Sequence, residues 1–378
     1  MSGTRRKSIV LASVLKPVDD TRMYEKFGLS LSQTNKYDIN IIGFHSKKIP
    51  KAENITFHPI YNFKRLSFYR LLAPWKFFAK LIQIQPRMVI IHTHELLGLA
   101  ALYNLFTRVP IFYDIQENFS KNILDNYDRS LTVLIISKLI KLRETFFSLF
   151  IRHCFLSDDS YYKELRFTVN KNRIFRKSER STILRNKFKE LPIPKRPSIP
   201  GKIIYSGTIS KSYGVFESVE LVSKMHELDP SISLCIIGYC SHAPTLVELK
   251  EKIADKPYIE IIGGSELVPH PDILEKIQEA SYALVPHQLT ESIRTCFPSK
   301  MYEYLYFQKP MLLRNHKPWV DYAMKYQAGI VIDFTEDPKE LLHQLKNGHF
   351  YPKGVDGDVL WDTEEKRLLR YLKSQDLL

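Results

Sequence analysis

Cysteine is scarce: Cys154, Cys235, Cys240 and Cys296 are the four in 378 residues, and no two form a CxxC pair. That excludes a disulfide framework and a zinc cluster and fits a reducing, cytoplasmic setting. Glycine is low as well, 14 against 21 prolines, which rules out collagenous chains. With 44% hydrophobic and 25% charged residues, the composition is that of an ordinary globular protein. No run reaches the roughly 18 uninterrupted apolar residues that a spanning helix needs. The nearest, residues 131–151, is broken by Lys138, Lys141, Arg143 and Glu144. Arg5, Arg6 and Lys7 before the apolar run 9–15 imitate a short signal peptide, but Lys16, Asp19 and Asp20 end it too early. A buried first β-strand closed by Pro17 is the better reading. The dinucleotide fingerprint GxGxxG, the Walker P-loop and HExxH are all missing, which argues against a dehydrogenase and a P-loop kinase.

What the chain has is length for two domains and an uneven charge. Residues 1–190 carry 33 Lys and Arg against 16 Asp and Glu, a net charge of +17; the remainder carries 22 against 25. The first half therefore suits an anionic partner. Apolar β-type runs at 9–15, 39–43, 88–92, 111–114 and 154–157 in the first half, and at 203–206, 233–238, 259–262, 282–285, 311–313 and 330–332 in the second, alternate with helical stretches. Each half is thus expected to be a parallel α/β sheet. In the helix after residue 206, Val215, Val219, Val222 and Met225 fall on one face. Four prolines within residues 191–200 mark a stiff linker, and Trp361, Leu368, Leu369 and Leu372 give the end of the chain an amphipathic helix. Asp356-Gly357-Asp358 has the form of a metal-binding DxD, but an Asp-Gly pair before a helix reads first as a turn.

Two segments carry chemistry. Residues 205–214 form a polar loop between a strand and a helix, bracketed by Gly207 and Gly214, where Thr208, Ser210, Lys211 and Ser212 can add donors around a phosphate. Further on, Phe297-Pro298-Ser299-Lys300-Met301-Tyr302-Glu303 leads through Tyr304 to Lys309-Pro310. There a glutamate in the first turns of a helix can accept a pair of hydroxyls, with backbone N–H groups before it open to an anion.

This second segment resembles the nucleotide-sugar signature of GT-B glycosyltransferases, family 4 in particular, in the form used for bacterial surface polysaccharides. Other segments are similar in order and spacing: Tyr205 to Gly214; Ile236-Ile237-Gly238; Ile261-Ile262-Gly263; Ile183-Leu184-Arg185-Asn186; His92-Thr93-His94-Glu95; and Tyr113-Asp114-Ile115-Gln116-Glu117. The resemblance implies two Rossmann-like, doubly wound α/β domains facing a cleft: an acceptor-binding domain over 1–190, the linker 191–200 and a nucleotide-sugar domain over 201–358. Residues 359–378 would form a helix crossing back to the first domain. It also implies sugar transfer with retention and no metal, a UDP- or GDP-linked sugar being substrate rather than cofactor. On the donor side it points to Gly207, Thr208, Ser210, Ser212, Gly263, Pro298, Ser299, Lys300 and Glu303. On the acceptor side it points to Glu95, Gln116 and Glu117, with His94, Lys211 and Arg294 as catalytic candidates.

Departures from the pattern are specific. The first of the family's two glutamates is replaced by Thr295, with Glu291 upstream, and the usual diphosphate-binding Arg and Lys by Thr208 and Tyr213. Lys211, Arg294 or Lys300 must supply the missing charge, and Gln116 stands where the family has histidine. Residues 62–85 interleave Lys64, Arg65, Arg70, Lys76 and Lys80 with Phe63, Phe68, Tyr69, Trp75, Phe77 and Phe78, an interfacial membrane pattern whose bland alternative is a buried helix pair. A lipid-linked saccharide acceptor at the inner face of a membrane fits it. Nucleic acid does not, since no helix-turn-helix, RRM or zinc pattern accompanies the dispersed charge. A non-hydrolysing nucleotide-sugar epimerase of the same fold and a catalytically weak nucleotide-sugar binder are the competing readings.

Overall fold

The computed structural model describes residues 6–63, 67–126, 130–169 and 180–378. Arg5, Lys64 and Arg65 lie outside the described residues. The chain divides into two compact units, Met1–Lys189 with Trp361–Leu378, and Glu190–Leu360.

The first unit is built on seven parallel strands: β1 (Lys7–Pro17), β2 (Tyr37–Phe44), β3 (Ile55–Tyr61), β4 (Met88–Ile91), β5 (Ile111–Ile115), β6 (His153–Leu156) and β7 (Ser181–Ile183). They lie in the order β3-β2-β1-β4-β5-β6-β7, so the strand order reverses between β1 and β4. Ile9, Val10, Leu11 and Ala12 of β1 are all fully buried, as expected of a central strand covered on both faces. The terminal helix, Asp362–Ser374, packs on this unit. Trp361, Leu368 and Leu372 are buried with Phe27, Phe112 and Phe155. The Trp361 indole donates to Ser30 Oγ at 3.0 Å, and Lys187 meets the buried Glu364 at 3.3 Å. Each such large apolar side chain contributes roughly 1.5–3 kcal/mol by leaving water.

The second unit has six parallel strands: β8 (Lys202–Ser206), β9 (Ser233–Tyr239), β10 (Ile259–Gly264), β11 (Tyr282–Val285), β12 (Met311–Arg314) and β13 (Gly329–Ile332). Their order is β10-β9-β8-β11-β12-β13, with the reversal between β8 and β11. Ligands of doubly wound sheets bind beyond the carboxyl ends of the strands at such a reversal. Val215, Val219, Val222 and Met225 of the helix Val215–Leu228 all face the core. Gly214 precedes that helix at φ +75°, and a Cβ on it would lie 2.2 Å from Pro286 O. Only glycine lets the loop after β8 press against the loop after β11.

All six strand runs read in the second half are present, whereas β3 and β7 have no counterpart in the sequence reading. Both sit at sheet edges: β3 contains Pro59, tolerated there because an edge strand has unpaired positions, and β7 has three residues. Asp356 caps a short turn by accepting from Asp358 N at 2.9 Å and takes the Tyr326 hydroxyl at 2.6 Å. Among the described residues, no three His, Cys, Asp or Glu side chains are grouped to hold a metal ion.

Candidate functional site

At the reversal in the second unit, β8 ends in the loop 206–214. The Gly207 and Ile209 N–H groups donate to Ile237 O and Tyr239 O at 2.9 Å each, tying the loop to β9. From below, the Tyr205 hydroxyl donates to Thr208 O at 2.7 Å. Ser210 and Ser212 pair through their hydroxyls at 3.1 Å, and Gln288 N donates to Ser212 O at 2.9 Å. The loop is thereby fixed from three sides.

Against it lies the helix Lys300–Tyr306. Lys300 and Tyr304, four residues apart, share the face turned to β8. The Tyr304 hydroxyl meets Ser206 Oγ at 2.8 Å, and Lys300 Nζ lies 4.8 Å from the centre of the Tyr205 ring. A Cβ built on Gly207 would be 3.4 Å from that same Nζ. Lys300 is 8% exposed, and its ammonium has no hydrogen-bond partner among the described residues. Burial lowers its pKa to about 8, with the Glu303 carboxylate pulling the other way. An unpartnered buried cation is costly on its own. Here it is held open beside a loop where an anion would complete it.

Glu303 accepts from His270 Nε2 at 3.2 Å and is largely buried. His287, two residues beyond β11, is 3% exposed, and its Nδ1 also lacks a partner among the described residues. Its ring sits 4.7 Å from Tyr213 and 5.7 Å from Trp319. Burial, reinforced by the charges of Lys300 and Arg314, holds the imidazole well below its ordinary pKa and hence neutral at pH 7. Neither His270 nor His287 was legible beforehand, because neither belongs to a spaced motif.

The other donor-side residues divide. Ser299 and Pro298 open the Lys300 helix, which at seven residues adds little dipole. Gly263 pairs with Gly238 in the sheet, and a Cβ there would strike Gly238 O at 2.5 Å. Crowding between strand ends thus accounts for that glycine. Thr208 is exposed. Lys211 is exposed and paired with Glu248 at 2.7 Å, and the exposed Arg294 reaches Leu289 O at 3.3 Å. Of the three substitute cations read from the sequence, the structure buries Lys300 alone.

In the first unit, a buried polar network occupies the strand ends at its own reversal. Arg22 donates to both Asp114 carboxylate oxygens, from Nε at 2.8 Å to Oδ2 and from a terminal nitrogen at 2.6 Å to Oδ1, and also to Leu184 O at 2.9 Å. His92 Nδ1 meets Asp114 at 2.8 Å, and the Gln116 amide donates to the same carboxylate at 3.1 Å. Arg22, His92 and Asp114 are each at most 1% exposed. Against the cost of burial, the Arg22 charge and the hydrogen bonds from His92 and Arg22 hold the Asp114 carboxyl well below its usual range. Beside it, His94 is buried against Phe119 at 4.9 Å with Nε2 3.7 Å from Glu95. Its Nδ1 is unpartnered, and burial lowers its pKa. Arg70 Nε donates to Glu95 at 3.1 Å, which ties the basic aromatic segment to this cluster. Glu117 accepts from Asn122 at 2.9 Å. His94 and Glu95 thus pair beyond β4, Gln116 joins the Asp114 network beyond β5, and Glu117 pairs with Asn122.

The buried Lys300 thus lies at the strand reversal where doubly wound sheets bind their ligands. Residues 186–347, most of the second unit, match the family described as Glycosyl transferases group 1. Over the whole chain, the fold is shared with sucrose-phosphate synthase from Thermosynechococcus elongatus, at TM-score 0.66 and 12% identity, covering 98% of this chain and 99% of that one. It is shared also with Anabaena HepE in complex with UDP and glucose, at TM-score 0.61 and 11% identity over 98% and 100%. A protein of Listeria monocytogenes described as a putative UDP-N-acetylglucosamine 2-epimerase gives TM-score 0.61 and 12% identity over 98% and 96%. At these identities the likeness is one of fold, the GT-B fold of two doubly wound units. No curated protein matches the chain.

Proposed function

We propose that this protein transfers a glycosyl group from a nucleoside-diphosphate sugar to a saccharide or lipid-linked saccharide, with retention at the anomeric carbon. The observation that carries the reading is the buried, unpartnered Lys300 ammonium beside Gly207, within the segment that matches the Glycosyl transferases group 1 family. Lys300 takes the role that Thr208 and Tyr213 leave vacant, neutralising charge that grows on the departing diphosphate. Glu303 accepts the ribose hydroxyls. Glu303→Ala is expected to weaken UDP or GDP binding by about tenfold or more, since hydrogen bonds to a carboxylate are worth about 1.5–3 kcal/mol. Titration calorimetry checks this, and an unchanged Kd for whichever nucleotide binds removes Glu303 from the site.

The acceptor side is proposed to rest on an anionic membrane. Supporting this, the helix Leu131–Phe147 buries a polar stripe: Ser137 donates to Ser120 O at 2.7 Å, and Glu144 accepts from the Tyr113 hydroxyl at 2.7 Å. Its apolar residues face outward, Leu131 at 74% and Leu142 at 66% exposure, among the exposed Lys138 and Lys141. Phe68 and Phe106, each 80% exposed, and Trp75, 61% exposed, lie on segments of the same unit. Within 67–85, Phe77 and Leu81 pack in the core while Phe68, Tyr69 and Trp75 stay exposed, and that exposed face supports the interfacial reading. Among the described residues no helix is long and apolar enough to cross a membrane, so attachment is of the interfacial kind. Co-sedimentation is expected with vesicles containing phosphatidylserine, falling as salt is raised from 0.05 to 0.5 M on the ~10 Å screening scale. Leu131→Ser with Leu142→Ser should weaken it further, and equal, negligible binding to anionic and neutral vesicles refutes the membrane surface.

A further inference from the structure

Resting on the donor reading above, we propose that His287 is a second anion-binding group of the Lys300 pocket and takes up a proton when a diphosphate enters. Two buried polar atoms at the same strand reversal lack partners, Lys300 Nζ and His287 Nδ1. The elements that bear them converge: Pro286 presses on Gly214, and Gln288 N is tied to Ser212 O. The groups facing His287 from each packed element are Lys300, Arg314 of β12, Tyr213 of the loop and the Trp319 ring. All the charges in that set are positive. In the free protein they keep the ring neutral, so the pocket avoids a second buried cation next to Lys300. A diphosphate reverses the sign of the local field. The neutral ring then gains one proton from the buffer, and both ring nitrogens become donors, one of them to a phosphate oxygen. Lys300, with a pKa of about 8, is already cationic at pH 7 and adds little to that uptake.

The test is calorimetric titration of UDP and of GDP at pH 7.0 in two buffers of different ionisation enthalpy, with wild type and His287→Gln. Expected for whichever nucleotide binds is an uptake in wild type that exceeds that of His287→Gln by about one proton, with affinity about tenfold lower in the variant. Equal uptake and equal affinity in the two proteins overturn the proposal. Wild-type protein carrying 15N-histidine provides a reading free of any substitution: pyrophosphate should convert one of the twelve histidine rings from neutral to doubly protonated, and no such change counts against it. If neither nucleotide binds but pyrophosphate does, with that uptake, the anion pocket stands and the nucleotide-sugar reading falls. If pyrophosphate fails as well, both fall.

Discussion

Lys300→Met should bind nucleoside diphosphate at least a hundredfold more weakly than wild type while melting at the same or a higher temperature. Both halves of that result have one cause. The wild-type ammonium is buried without a hydrogen-bond partner and shifted to about 8 by that burial. Leaving a charged group unsatisfied costs about 1–3 kcal/mol or more, and methionine fills nearly the same volume without it. Stability therefore stays level or rises by about that amount. Binding behaves oppositely, since a preorganised donor aimed at developing charge is worth roughly 10²–10³ in rate and a comparable factor in affinity for the charged product. Scanning calorimetry beside isothermal titration checks the pair. A variant that melts lower and binds normally would make Lys300 a structural residue. Lys211→Ala and Arg294→Ala, whose side chains lie on the surface, are expected to change affinity by less than threefold, in line with the small worth of exposed charges.

The largest effect on stability is expected at Asp114. Asp114→Ala strands the Arg22 guanidinium, 1% exposed, with Leu184 O as its remaining partner. Breaking a buried pair from one side costs about 3–5 kcal/mol, which corresponds to roughly 10 °C in Tm for a unit of this size. Replacing both partners, Arg22→Met with Asp114→Leu, should cost less than the single change, because no orphaned charge remains. The pH dependence follows from the lowered pKa. The folded carboxyl lies below its unfolded value of about 3.9, so its contribution is complete above that value and is lost as pH falls toward the folded pKa. Acid unfolding by circular dichroism should thus start below about pH 4 in wild type, and in Asp114→Ala that step should be missing. A single variant as stable as wild type would mean that the network is not what holds these strand ends.

Those two residues also show what could and could not be read from the sequence. The strands of the second unit were legible because each is a short apolar run covered on both faces; the edge strands β3 and β7 escaped because an edge needs neither length nor full burial. Lys300 and Glu303 stood out by spacing within a recognisable signature. That Lys300, rather than Lys211 or Arg294, is buried depends on Tyr304 docking on Ser206 and on Glu248 drawing Lys211 outward, contacts between residues 37 to 98 positions apart. The Arg22 network spans 92 residues from Arg22 to Asp114 and leaves no local trace. Residues 131–151 looked like an interrupted apolar run, and only the fold reveals that Ser137 and Glu144 face inward while the leucines face out.

The central claim, that the Lys300 pocket activates a nucleotide sugar for transfer, is tested most directly by following nucleoside diphosphate release from a panel of UDP- and GDP-sugars with wild type and Lys300→Met. Slow release from one donor is expected without acceptor, accelerated by a saccharide or lipid-linked saccharide and reduced at least a hundredfold in the variant. Release that is unaffected by Lys300→Met, or a C2-epimerised nucleotide sugar formed with no diphosphate released, would contradict it.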